Sequence, residues 1–227
     1  LIEHLPFDEG LKFMCECCRV LQPGGVLRVA TPDLEVLAKV YLQKIGEIEN
    51  GVALAEYDHQ WVLLELFDQI SREVSGGKMG SFLSCKDLPN REFVRSRIGH
   101  EVEAFWGASA NSGLKWKPRA KLKKLGLISM LRKVRSFFGE TLVNIFFGAK
   151  EREALRLGSF RKSGEIHHLL YDRISLGRLF ENGGFSKTRV TSAFESRIPG
   201  WSSFHLDVLA DGSIAKPDSL FMEGEKN

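Results

Sequence analysis

Long apolar runs are missing from this chain. Every hydrophobic stretch is broken by a charged residue or a glycine before it reaches the roughly 18–20 residues that a bilayer-spanning helix needs, so a transmembrane helix is excluded. A dominant charge sign is missing as well: 32 Lys and Arg stand against 29 Asp and Glu, a net charge of +3, which by itself does not argue for a nucleic-acid partner. Cysteine is sparse. Of the four, three crowd at Cys15, Cys17 and Cys18, which is not the spacing of a disulfide-stapled secreted domain. The opening residues carry Glu3, Asp8, Glu9 and Glu16 and no basic stretch ahead of an apolar one, so they are not read as a secretory signal. A reducing cytoplasm is the expected location. Internal repeats and low-complexity tracts are absent.

What is present suffices for a packed core. With 43% hydrophobic and 27% charged residues over 227 positions, the chain is one large domain, or a domain carrying a sizeable insertion, and not a disordered polypeptide. It begins Leu1-Ile2-Glu3-His4-Leu5-Pro6 with no preceding turn or cap, and is expected to lack an N-terminal portion.

Leu11, Met14, Cys15, Cys18, Val20 and Leu21 recur at helical spacing behind Asp8, a candidate N-cap. Gln22-Pro23-Gly24-Gly25 must stop that helix, since proline lacks a donor and glycine accepts positive φ. Val26 to Ala30 is then a short run, nearly all apolar, that predicts a strand buried on both faces. Helix, tight turn and buried strand make one unit of a doubly wound α/β sheet. Asp33 to about Lys44 is helical again, with Leu34, Leu37, Ala38, Tyr41 and Leu42 on one face. Residues 52 to 74 are amphipathic through Tyr57, Trp61, Leu64, Phe67 and Ile70, and Gly76-Gly77-Lys78-Met79-Gly80 is read as a break. One short helix is expected between Arg91 and Phe105, in an otherwise irregular stretch. Asp172 to Glu181 predicts a helix with Ile174, Leu176, Leu179 and Phe180 inward, stopped by Asn182-Gly183-Gly184. Thr188 to Ala193 and Ser219 to Glu223 predict strands, joined by a turn-rich connection.

Glu3-His4-Leu5, the helix ending Arg19-Val20-Leu21, then Gln22-Pro23-Gly24-Gly25-Val26-Leu27 and Thr31-Pro32-Asp33 form a recognisable string. It resembles the second half of a class I S-adenosylmethionine-dependent methyltransferase, of the broad group called type 11. There a Glu-His pair ends the fourth strand and a Pro-Gly-Gly turn launches the fifth. Tyr171-Asp172 through Gly183-Gly184-Phe185 resembles the helix and turn before strand six, and Ser219 to Glu223 resembles strand seven. The stretch from Ser163 to Phe221 is also similar to bacterial, especially cyanobacterial, methyltransferases that accompany polysaccharide or specialised-metabolite genes.

The resemblance implies an α/β, Rossmann-like sheet of order 3-2-1-4-5-7-6 with strand seven antiparallel. This chain would carry strands 5, 7 and 6 and lack most of strands 1 to 4. It divides the sequence into core at 1–33, a mostly helical insertion or lid at 34–164, and core again at 165–227. It implies transfer of a methyl group from S-adenosylmethionine to a small-molecule or glycan-type, or lipid-linked, acceptor. The glycine-rich GxGxG loop after strand one and the acid after strand two, which let the backbone approach the cofactor and hold its ribose, are not in these 227 residues. The chain alone is therefore expected to bind the cofactor poorly.

Within that frame Glu3 and His4 open onto the cleft at the carboxyl ends of the strands. They would border the cofactor's methionine end, or His4 would serve as a general base for an acceptor hydroxyl; alternatively both cap and pack under the next helix. Asp33 either touches the acceptor or caps the helix it precedes. His167, His168 and Tyr171, just ahead of the returning helix, are candidate acceptor contacts, with Asp172 as a cap. Arg197 would pair with an acidic or phosphorylated acceptor through its planar fork, or with Glu195. No metal site is expected: Cys15, Cys17 and Cys18 point in different directions on a helix, and His167-His168 is a lone pair.

Between Glu103 and Glu140 there is no acid, while basic residues accumulate from Lys115 to Arg135, interleaved with leucines and followed by an aromatic cluster ending at Phe147. This 115–147 segment reads as a lid over the acceptor, as a helix on anionic lipid, or as a solvated helical face. Nucleic acid is not expected, since no binding module accompanies the charge. The alternative function is a non-catalytic methyltransferase remnant, working through this basic segment as a partner- or membrane-surface-binding module.

Overall fold

The computed structural model describes residues 1–110 and 147–227, so nearly all of the basic 115–147 segment lies outside the described residues. A 3-10 turn at Ile2–His4 leads into α1 (Phe7–Val20) and β1 (Val26–Pro32). The helices α2 (Leu34–Glu49), α3 (Ala55–Ser71), α4 (Gly77–Leu83), α5 (Arg91–Ile98), α6 (His100–Ala110) and α7 (Ala149–Arg161) follow. After them come α8 (Arg173–Asn182), β2 (Phe185–Thr191), a 3-10 turn at Trp201–Phe204, and β3 (Ser219–Lys226). The class is α/β, with one small sheet of order β1-β3-β2 in which β3 runs antiparallel to both neighbours. No helix among the described residues is long and apolar enough to cross a membrane.

The sheet's two faces are set by the alternation of β3. Leu220 and Met222 point toward α1 and α8 and join Met14, Leu176, Leu179, Phe180 and Phe185 in one apolar cluster. Each large side chain buried there contributes on the order of 1.5–3 kcal/mol. Gly183 lets α1 and α8 close, because a Cβ there would sit 2.7 Å from Met14 Cβ. The opposite face carries Phe221 and Glu223, the latter wholly buried. Arg28 of β1 and Arg189 of β2 stand in register with Glu223. A second apolar cluster, Trp61, Leu88, Val94, Val102 and Trp106, holds the α3–α6 helices together.

Several local expectations need correcting. Pro6, not Asp8, occupies the N-cap of α1, and no side chain caps it. β1 is half-buried, not buried on both faces: Leu27 and Val29 pack on the apolar cluster, while Arg28 and the exposed Ala30 alternate to the other face. Ala38 and Leu42 of α2, Tyr57 and Phe67 of α3, and Ile174 of α8 face solvent. The inward face of α3 is Ala55, Asp58, Trp61, Val62, Glu65 and Asp68, so three of its six inward residues are carboxylates. α3 already ends at Ser71, and the Gly76–Gly80 stretch is not a break but the start of α4, with Gly76 at its N-cap and Gly77 leaving room for Asp68 to accept from the Lys78 amide at 2.6 Å. Two helices, not one, occupy 91–110, separated by Gly99 at φ 75°. β2 starts at Phe185 and β3 continues to Lys226, and the register of β2 shifts between Ser186 and Arg189. Asp172 caps α8 through a capping box with Ser175.

Candidate functional site

A cavity of about 600 Å³ opens where the carboxyl end of β1 (Ala30–Pro32) and the start of β3 meet the α3–α6 helices; Glu3, His4, Arg72 and His167 line it. Its position follows from topology. Strand ends at a sheet edge leave a crevice that neither the sheet nor its covering helices can fill. The helices inserted after β1 supply the far wall.

Three chain segments meet at this crevice. The backbone carbonyl of Glu3 accepts from the His168 amide at 2.7 Å, and Gln69 at the end of α3 accepts from the His167 amide at 2.9 Å. Residues more than 160 positions apart are thereby locked side by side. His4 Nδ1 lies 3.1 Å from the Ile166 carbonyl. A carbonyl only accepts, so Nδ1 is the donor, which in the neutral ring leaves the lone pair on Nε2. That Nε2 lies 3.8 Å from Glu3 Oε1. The other carboxylate oxygen, Oε2, accepts from the Leu1 nitrogen at 2.8 Å and from Thr31 Oγ1 at 3.4 Å. The rings of His4 and His167 stand edge to face, their centroids 4.5 Å apart.

His167 is 5% exposed and its Nδ1 has no hydrogen-bond partner. Burial holds its pKa down at about 4, the neighbouring His4 adding to the effect while Glu3 opposes it, so the ring is neutral at pH 7. Behind the cavity Arg72 pairs with Asp68 at 2.9 Å and with Glu165 at 3.4 Å. Deeper in the helical wall Glu65 accepts from Trp61 Nε1 at 2.6 Å and from Arg97 Nη2 at 2.9 Å. Burial pushes the Glu65 carboxyl up against the pull of Arg97, and burial likewise raises Asp218.

Of the residues singled out in the sequence, Glu3, His4 and His167 come together at the cavity. The others lie elsewhere. Asp33 accepts from the Glu35 and Val36 amides as the N-cap of α2, which is the capping alternative. His168 turns out to solvent while its neighbour turns in. Tyr171 packs in the α1–α8 core with its hydroxyl buried and unpartnered; burial first and then the Glu3 charge raise its pKa. Arg197 is bound to Glu223 at 3.4 Å and to Glu225 at 3.5 Å, not to Glu195. The four cysteines are free thiols. Arg72 and Gln69 escaped notice in the sequence, whereas Thr31 stood in the quoted Thr31-Pro32-Asp33 string. The signal for the α3 wall was legible, however: Asp58, Glu65 and Asp68 recur at the helical spacing of Trp61 and Val62.

Comparison with protein-family models, with curated proteins and with solved structures finds no match for this chain.

Proposed function

We propose that this chain carries the acceptor-binding part of a class I S-adenosylmethionine-dependent methyltransferase acting on a small-molecule or glycan-type acceptor. The observation that carries the reading is the strand order β1-β3-β2. The last strand is inserted antiparallel between two strands that run parallel to each other, which is the arrangement the resemblance implies for strands 5, 7 and 6. A simple meander would instead keep β2 between β1 and β3. The cavity at the carboxyl end of β1 is where such a sheet binds ligands, and the helices after β1 give it a wall that selects the acceptor.

The residues present fit the acceptor and not the whole cofactor. Gly76-Gly77-x-x-Gly80 opens α4 behind a helix and is spent on the Asp68 turn, so no glycine-rich loop follows a strand among the described residues. No holder for the adenosine portion stands among the described residues. On the acceptor side, His4 Nε2 offers a lone pair at the cavity, fixed by the Ile166 carbonyl behind it, in position to take a proton from an acceptor hydroxyl.

Calorimetric titration of S-adenosylmethionine into the complete gene product, followed by transfer of a labelled methyl group into a small-molecule extract, tests the proposal. Saturable binding with transfer is expected. No detectable binding overturns it.

A further inference from the structure

We propose that Glu3, His4 and His167 form a binding site for a divalent first-row transition ion, zinc being the ion this ligand set fits best. Two imidazoles and one carboxylate are the three protein ligands of a class of catalytic zinc sites that keep a fourth position open. One ligand atom from each residue lies within 4.8 Å of the others. Tetrahedral ligands at zinc stand about 3.4 Å apart, for bond lengths of about 2.0–2.1 Å, so small side-chain rotations close the set.

The surroundings are those of a supported ligand set. The proton of His4 Nδ1 is committed to the Ile166 carbonyl, which orients the ring and leaves Nε2 as the ligating atom, the outer arrangement typical of metal-bound histidine. Glu3 Oε2 accepts from Thr31 Oγ1 at 3.4 Å, while Oε1 lies 3.8 Å from His4 Nε2. His167 is fixed by its amide bond to Gln69, yet its buried Nδ1 is unpartnered. A buried polar atom without a partner calls for an explanation, and an ion in this cluster supplies one. The nearby guanidinium of Arg72 does not stand against a cation, because Asp68 and Glu165 already neutralise it. The cluster opens on the cavity, so an oxygen of a bound molecule can reach the open position. Ion uptake is read without S-adenosylmethionine, so either proposal can fail alone; with the ion bound, His4 Nε2 serves as a ligand and not as the base for an acceptor hydroxyl.

Titration of the chain with Co²⁺, followed by visible absorption, tests the site, with Zn²⁺ as competitor. One equivalent is expected to bind saturably, giving ligand-field bands without the near-ultraviolet thiolate band of a cysteine site, and Zn²⁺ should displace it. His4→Ala, His167→Ala and Glu3→Gln should each weaken binding about tenfold or more, whereas His168→Ala, one residue away but facing solvent, should bind as the parent does. The proposal is overturned if the parent chain takes up no Co²⁺ saturably, if the spectrum shows thiolate ligation, or if His167→Ala binds unchanged. The parent's spectrum decides even if a variant does not fold.

Discussion

Glu223 and Glu3 are both buried carboxylates, and their surroundings treat them in opposite ways. Glu223 sits at the centre of the sheet, where Arg28 donates at 2.9 Å, Ser196 at 2.5 Å and the Arg197 amide at 3.0 Å, with Arg189 at 3.7 Å across the ladder. Arg28 in turn serves Asp207 at 2.6 Å and the carbonyls of Glu195 and Ser192. Both oxygens are engaged, and the network fastens the long β2–β3 connection onto the sheet. Glu3 accepts from Thr31 on Oε2, while Oε1 stands 3.8 Å from His4 Nε2, beside the His167 ring with its orphaned nitrogen. A polar cluster whose groups are satisfied behaves as structure. One left incomplete beside a cavity is where a ligand belongs.

The contrast can be broken from the structural side first. Glu223→Gln should cost about 3–5 kcal/mol, because it leaves Arg28 and Arg197 short of their counter-charge in a dry site; urea unfolding monitored by circular dichroism measures it. A loss below 1 kcal/mol would mean that the network is not what holds the connection.

Acid should sharpen the same difference. Burial raises the Glu223 carboxyl, but hydrogen bonds from Ser196, the Arg197 amide and Arg28 outweigh it and hold the pKa below the usual 4.5. A group depressed in the folded state contributes stability above its unfolded pKa and loses that contribution as pH falls through the folded value. Stability of the parent should therefore decline below about pH 4.5, and Glu223→Gln should show a shallower decline in the same window. Equal slopes for the two proteins would remove Glu223 from the account.

The smallest effect is expected near the incomplete cluster. The Tyr171 hydroxyl is buried without a partner, so Tyr171→Phe removes a desolvation cost and little else. It should leave thermal stability unchanged or raise it by up to about 1 kcal/mol. A clear loss of stability would show that the hydroxyl has a partner in solution.

Local structure was legible where local chemistry sets it. The Pro23-Gly24-Gly25 stop, the Asp33 and Asp172 caps and the inward Leu176, Leu179 and Phe180 of α8 (though not Ile174) read straight from residue types, because capping and helical periodicity are decided within a few positions. Misreadings fell where a neighbour decides. β1 was expected to be buried on both faces because apolar composition does not say what covers each face of a strand. The inner face of α3 was mistaken because the partners of its carboxylates, Arg72, Arg97 and Lys44, come from other turns and helices. Glu3, His4 and His167 were each singled out separately.

Backbone preference and side-chain period set most helices, the Asp33 and Asp172 caps, the strand segments and the candidate residue types, but did not disclose the uncapped start of α1 or the α4 helix opened at Gly77. Tertiary structure alone decided that His167 turns inward and His168 outward, that Arg197 is spent on Glu223, and that a carboxylate and two imidazoles from distant positions share one crevice. Those outcomes rest on backbone hydrogen bonds between Glu3 and His168 and between Gln69 and His167, long-range pairings that no local pattern encodes.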